Sequence, residues 1–163
     1  MRPNTLKLAL SFLVALLMLS ILSYKCHAED QTPKTGLIVS AKATNYNNYI
    51  GTGFVTKVSD DWAIASDAYT GAGTTGVQTQ VLSLLKLSPR LYAFAAIGPE
   101  LTIIQPNPTQ SDKLSYFQAA TTIGFSHRTS KTISLWIAAE RLDGSAPVST
   151  YKLSTGLVIW TSE

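Results

Sequence analysis

The segment Gly71-Ala72-Gly73-Thr74-Thr75-Gly76 has the literal spacing G-x-G-x-x-G. In a dinucleotide site such glycines let the backbone approach a pyrophosphate. They do so only between a buried strand and a helix N-terminus, with an acid about 20 residues on. Here Ser66 and Asp67 interrupt the preceding run, and Lys86 and Arg90 stand where the acid should be. The segment is therefore expected to be a flexible glycine loop, with no cofactor. Ser126-His127 is a second candidate, because a hydroxyl and an imidazole can act as nucleophile and base when a third group orients them. No such geometry can be read from spacing, and a solvated turn histidine is expected, with no catalytic residue. His127 is the one histidine beyond residue 28, where no cysteine remains, so no metal site is expected either. A third set is Lys42, Asp67, Glu140 and Lys152, each a charge inside a largely apolar run. Brought together in a narrow interior, such charges must pair, since an isolated buried ion is costly.

The elements that would position these residues are strands. Between Phe117 and Glu140 one pattern is written twice: Phe117, Ala119, Thr121, Ile123 and Phe125 alternate with small or polar residues, and so do Ile133, Leu135, Ile137 and Ala139. Alternation with a period of two gives a strand one apolar face. Eight such runs can be marked, roughly 36–44, 49–58, 62–70, 77–87, 91–103, 116–128, 131–142 and 150–160. The breaks after runs two, four and six are the tightest, as hairpin turns are; the others are longer and rich in Gly, Asn, Pro and Ser. Pro99, after Gly98, suggests a bulge or the end of the fifth strand. Aromatics gather near strand ends, at Tyr49, Trp62, Tyr69, Tyr92, Tyr116, Phe117, Phe125, Tyr151 and Trp160, where interfacial girdles would put them. Ordinary core aromatics of a soluble β-domain are the alternative.

Residues 1–28 read as a secretory signal peptide. Arg2 and Lys7 form a basic n-region, Leu8 to Leu22 an apolar h-region, and Cys26-His27-Ala28 a small-x-small cleavage site. The h-region is short for a membrane helix, and the approach to Cys26 is too bulky and charged for a lipoprotein signal. The remaining 29–163 is expected to be a single domain. Of the 13 basic residues, Arg2, Lys7 and Lys25 lie in the signal, which leaves ten against the 10 acidic ones. The sequence pI of about 9.0 thus comes from the signal, and nucleic acid is not an expected partner. Charge is scarce, at 14% against the ~25% usual in soluble domains. Strand faces carry Ser, Thr, Gly, Ala and Gln where a soluble sandwich would show Lys and Glu.

In "ATTIGFSHRTSKTISLWIAAERL", "GTGFVTKVSDDWAIASDAY" and "YKLSTGLVIW" the chain resembles the small eight-stranded outer-membrane barrels of the OmpA/OmpX-like group. It departs from their usual aromatic end, because Thr161, Ser162 and Glu163 follow Trp160. The resemblance implies an all-β fold, an eight-stranded antiparallel up-and-down transmembrane β-barrel in the cell outer membrane. Outer-membrane lipid would be its surroundings, its interior closed and polar, and its role structural or surface-interacting. Phe117, Ile123, Phe125, Ile133, Leu135 and Ile137 would then face lipid. Lys42, Asp67, Glu140 and Lys152 would point inward in the extracellular half of the lumen, with Glu140 and Lys152 opposed across the last hairpin. Two other readings stay open. One is a soluble, exported, lipocalin-like barrel with its apolar side chains inward around a small apolar ligand. The other is a lipid-modifying outer-membrane enzyme using Ser126 and His127.

Overall fold

The computed structural model describes residues 35–45, 47–71, 73–105, 114–144 and 150–161; the expected signal segment lies outside them. The alternating runs form eight strands: β1 (Thr35–Ala43), β2 (Asn48–Lys57), β3 (Trp62–Gly71), β4 (Thr74–Lys86), β5 (Leu91–Ile104), β6 (Leu114–Arg128), β7 (Ile133–Gly144) and β8 (Thr150–Trp160). Each pairs antiparallel with the next in chain order, and β8 pairs with β1, which closes the barrel. Closure leaves no unpaired strand edge, the condition for a sheet to lie in hydrocarbon.

One end of the barrel is made by a single turn used three times. Val58 and Ser59 both donate their N–H groups to the Trp62 carbonyl, at 2.9 and 3.1 Å. Leu87 and Ser88 do the same to Leu91, and Thr129 and Ser130 to Ile133, at the same distances. In each turn the serine hydroxyl oxygen accepts from a backbone N–H within the turn: Asp61 for Ser59, Arg90 and Leu91 for Ser88, Thr132 and Ile133 for Ser130. Serine satisfies the turn's own donors, which is the reason for its preference there. This turn end also holds the start of β1 and the end of β8. At the opposite, loop end, the glycine segment is not the long loop expected. β3 runs to Gly71, β4 begins at Thr74 and the two residues pair, so the connection is a tight hairpin with Gly73 at φ 73°. No helix follows, and the dinucleotide geometry is absent.

Pro99 neither bulges nor ends its strand. β5 continues to Ile104, and its pairing with β6 runs without a slip from Leu91↔His127 through Pro99↔Ala119 to Ile104↔Leu114. The β4–β5 register is also the same on both sides of Pro99, with Gln78 opposite Glu100 and Val81 opposite Ile97.

Large apolar side chains are exposed on the outer face of every strand, among them Leu37, Ile50, Ile64, Val81, Ile97, Phe117, Ile123, Ile133 and Ile159. Ile50 is 71% exposed and Phe117 66%. Of the six residues assigned to lipid, Phe117, Ile123, Phe125 and Ile133 are exposed and Leu135 is half-buried. Ile137 shares their face by register, between Phe125 and Thr155, but is only 2% exposed. The expected aromatic girdle needs a larger correction. Tyr49, Tyr69, Tyr92, Tyr116 and Trp160 have the inward parity of their strands, and only Trp62, Phe117, Phe125 and Tyr151 lie outside. Nearness to a strand end does not choose the face; parity does.

The interior divides into two zones, and the closed polar interior expected from sequence describes only one of them. Toward the loop end it holds Lys42, Asp67, Glu100, Gln118, Glu140 and Lys152, all buried. Toward the turn end it is apolar, with Ile38, Val55, Ala63 and Val158 buried and Leu82, Leu84, Trp136 and Trp160 packed against them.

Candidate functional site: the charged layer of the lumen

Lys152 sits on β8 directly opposite Glu140 on β7, because the two strands pair in that register. Its Nζ stands 3.4 Å from Glu140 Oε1. The closer contact is to a residue that sequence reasoning passed over: Nζ donates to both oxygens of Glu100, on β5 across the lumen, at 2.7 and 2.9 Å. Glu100 is fully buried. Its Oε1 also accepts from the Tyr69 hydroxyl at 2.6 Å and from Thr102 Oγ1 at 2.8 Å. The Tyr69 oxygen in turn accepts from Lys152 Nζ at 2.6 Å. One ammonium, one carboxylate and one phenol thus satisfy each other where water is excluded, the condition under which a buried pair holds.

Tyr69 reaches Glu100 because of the residue between them. It projects from β3 and pairs with Gly76 on β4, beyond which lies β5. A Cβ at Gly76 would overlap the Tyr69 ring, so the bare backbone of β4 is the floor over which that ring lies. The last glycine of the G-x-G-x-x-G match therefore serves packing. The ring also gathers the two lysines: Lys152 Nζ is 4.2 Å and Lys42 Nζ 4.6 Å from its centroid, both inside cation–π range. Tyr49 meets it edge-on, with centroids 5.4 Å apart.

Lys42 on β1 and Asp67 on β3 pair at 2.9 Å across the intervening β2. There Gly51 and Gly53 face inward, and a Cβ at Gly53 would come within 2.6 Å of the Asp67 Cβ. This glycine notch lets side chains of two non-adjacent strands meet. A further chain runs from Gln80 Nε2 to Thr122 Oγ1, 2.8 Å, and from Thr122 Oγ1 to Glu140 Oε2, 3.4 Å. All four predicted charges thus lie in one layer, organised by Tyr69 and Glu100. Pro99 obscures Glu100 in the sequence, because it suggests a bulge or a strand end just before it. The frame set by Ile97, Leu101 and Ile103 outward puts Glu100 inward once the strand is allowed to continue. Tyr69 was assigned to a girdle and is instead at the centre.

Ser126 and His127 are not brought together. Adjacent on β6, they point to opposite faces: Ser126 lines the lumen, and His127 lies on the outer face between Leu91 and Leu135, buried at 3% exposure. The solvated turn histidine expected from sequence is therefore corrected, and so is any Ser–His relay. Among the described residues no group of three or more His, Cys, Asp or Glu is arranged to hold a metal ion.

No protein-family model and no curated protein matches the sequence. Solved structures do match the fold. The N-terminal β-barrel domain of Pseudomonas aeruginosa OprF superposes with a TM-score of 0.70 at 10% identity, over 80% of this chain and 98% of that one. The attachment invasion locus protein Ail of Yersinia pestis gives 0.56 at 10% identity, over 77% and 94%. A de novo designed transmembrane β-barrel gives 0.60 at 15% identity, over 82% and 100%. The chain thus has a closed eight-stranded antiparallel β-barrel fold like that of these structures.

Proposed function

We propose that this chain is an outer-membrane protein whose barrel spans the bilayer, with its lumen closed by the charged layer, and that its role is structural or surface-interacting. The observation that carries the reading is the outer face. Apolar side chains are exposed on all eight strands, whereas the charges inside the strands mostly turn inward. A soluble monomer rarely exposes apolar patches beyond a few hundred Å², and a lipid-facing belt needs this arrangement. The soluble, lipocalin-like alternative requires the larger side chains inward, contrary to their placement on β2, β5 and β6. A lipid-modifying activity loses its proposed Ser–His pair, so no enzyme activity is assigned. Short turns lie on the periplasmic side of such barrels, which places the serine turns and the apolar zone there and the charged layer toward the cell exterior. Surface interaction would fall to the connections 105–113 and 145–149, most of which lies outside the described residues. The test is gel mobility of the detergent-solubilised protein with and without boiling, together with fractionation. A heat-dependent shift and recovery in the outer membrane are expected. Release with periplasmic contents and no shift would overturn the assignment.

A further inference from the structure

We infer that the apolar zone at the turn end is a binding site for an amphiphile with an anionic head and a short unbranched alkyl tail, entered from the periplasmic side. The inference rests on the membrane orientation proposed above. The zone is not filled by its own side chains. A cavity of about 140 Å³ runs from the underside of the charged layer, at Asp67 and Glu140, to a rim that carries Lys57 and Arg128. Its wall between those ends is mostly apolar, built by Ile38, Val55, Leu82, Leu84, Phe94 and Val158, with Ser126 and Ser134 among its polar members. A cavity of this size takes a benzene-sized apolar group against its apolar wall, which allows about six carbons of an alkyl chain.

The rim chooses the head. Lys57 ends β2 facing inward and has no ion-pair partner among the described residues; its ammonium lies 5.5 Å from the Tyr92 ring centroid. Arg128 ends β6 beside the same opening, with its guanidinium fixed by bonds to the Ser130 and Lys131 carbonyls. Among the described residues, Lys86 shares this end on β4, and Arg90 and Lys131 lie in its turns, with Asp60 and Asp61 as the acidic residues there. A positive mouth on a mostly apolar chamber with a charged floor suits one anionic head and one tail. The floor is shut, so the ligand is held and does not pass through.

Two of the protein's three tryptophans, Trp136 and Trp160, line the chamber, and the third, Trp62, is outside. Trp62→Phe protein in zwitterionic nanodiscs should therefore show saturable fluorescence quenching by 8-bromo-octanoate. Unlabelled octanoate or octyl phosphate should relieve it; the more effective competitor tells a carboxylate from a phosphate source. Lys57→Glu should weaken binding at least tenfold while leaving the weak quenching by neutral 8-bromo-octanol unchanged. Ala65→Phe, which fills the chamber, should abolish saturable quenching. Non-saturable quenching, or quenching insensitive to Lys57→Glu, would overturn the site even if Ala65→Phe does not assemble. Heat-modifiable mobility is scored on each sample, so loss of the barrel reading shows as a missing gel shift and loss of the site as a folded barrel that does not bind.

Discussion

Lys152 contacts both oxygens of Glu100 but stands 3.4 Å from Glu140, so the two carboxylates it serves are not equivalent. The layer also holds three carboxylates, Asp67, Glu100 and Glu140, against two ammoniums, Lys42 and Lys152. Glu140 is the carboxylate in excess, and its Oε1 has no hydrogen bond. Glu140→Gln should therefore be mild. Lys152→Met should cost about 3–5 kcal/mol, because it strands Glu100 in a dry interior. In double-mutant cycles the coupling between Glu100→Gln and Lys152→Met should exceed that between Glu140→Gln and Lys152→Met. Denaturant unfolding in micelles measures both. Equal couplings would mean that the hairpin pair, the one legible from sequence, dominates after all.

The strands themselves were readable because period-two alternation survives in all eight, and antiparallel closure follows once each is joined to the next by a short connection. What period two could not show is which residues lack a Cβ for a reason. Gly76 looked like part of a phosphate loop, yet its role is to leave room for Tyr69. Gly76→Val should push the ring off Glu100 and cost more than Ser154→Val in the same lumen. It should be read as a fall in the temperature of the gel-mobility shift; an unchanged temperature would show that Tyr69 is not held by contact with β4. The serine turns were marked as breaks, but their common wiring was not visible, because three turns differing at every other position share only the serine and its backbone partners. Ser130→Ala removes an acceptor used at 3.0 Å by Ile133 and at 3.2 Å by Thr132. It should cost about 0.5–1.5 kcal/mol, and Ser130→Asp should recover most of it, since an Asx side chain accepts in the same way.

At the scale of the whole molecule, one barrel presents three environments: an apolar outer face, a charged layer toward the loops and a mostly apolar chamber toward the turns. Alternation separates outside from inside but cannot separate the two interior zones, because both occupy the same parity. Telling them apart takes the contacts across the lumen, where Lys42 meets Asp67 and Lys152 meets Glu100 and Glu140, while Ile38, Val55 and Val158 cluster with one another. The outer face and the interior predict different responses to charge. Ile123→Arg, on the outer face, should destabilise by about 2–4 kcal/mol if it lies near mid-membrane, and spin labels at 123 and 133 should report lipid. Ion flow meets the charged layer in series with the mostly apolar chamber. Eight strands leave an interior that side chains can fill, and every ammonium in the layer is within 2.9 Å of a carboxylate oxygen. An ion entering from the loops would have to displace one of these partners and then cross a mostly apolar chamber. The wild-type protein should therefore carry no steady current in planar bilayers. Tyr69→Ala with Glu100→Ala, which removes the centre of the layer, should at most produce brief openings because the chamber remains. Sustained wild-type conductance would show that the layer is a gate and not a plug.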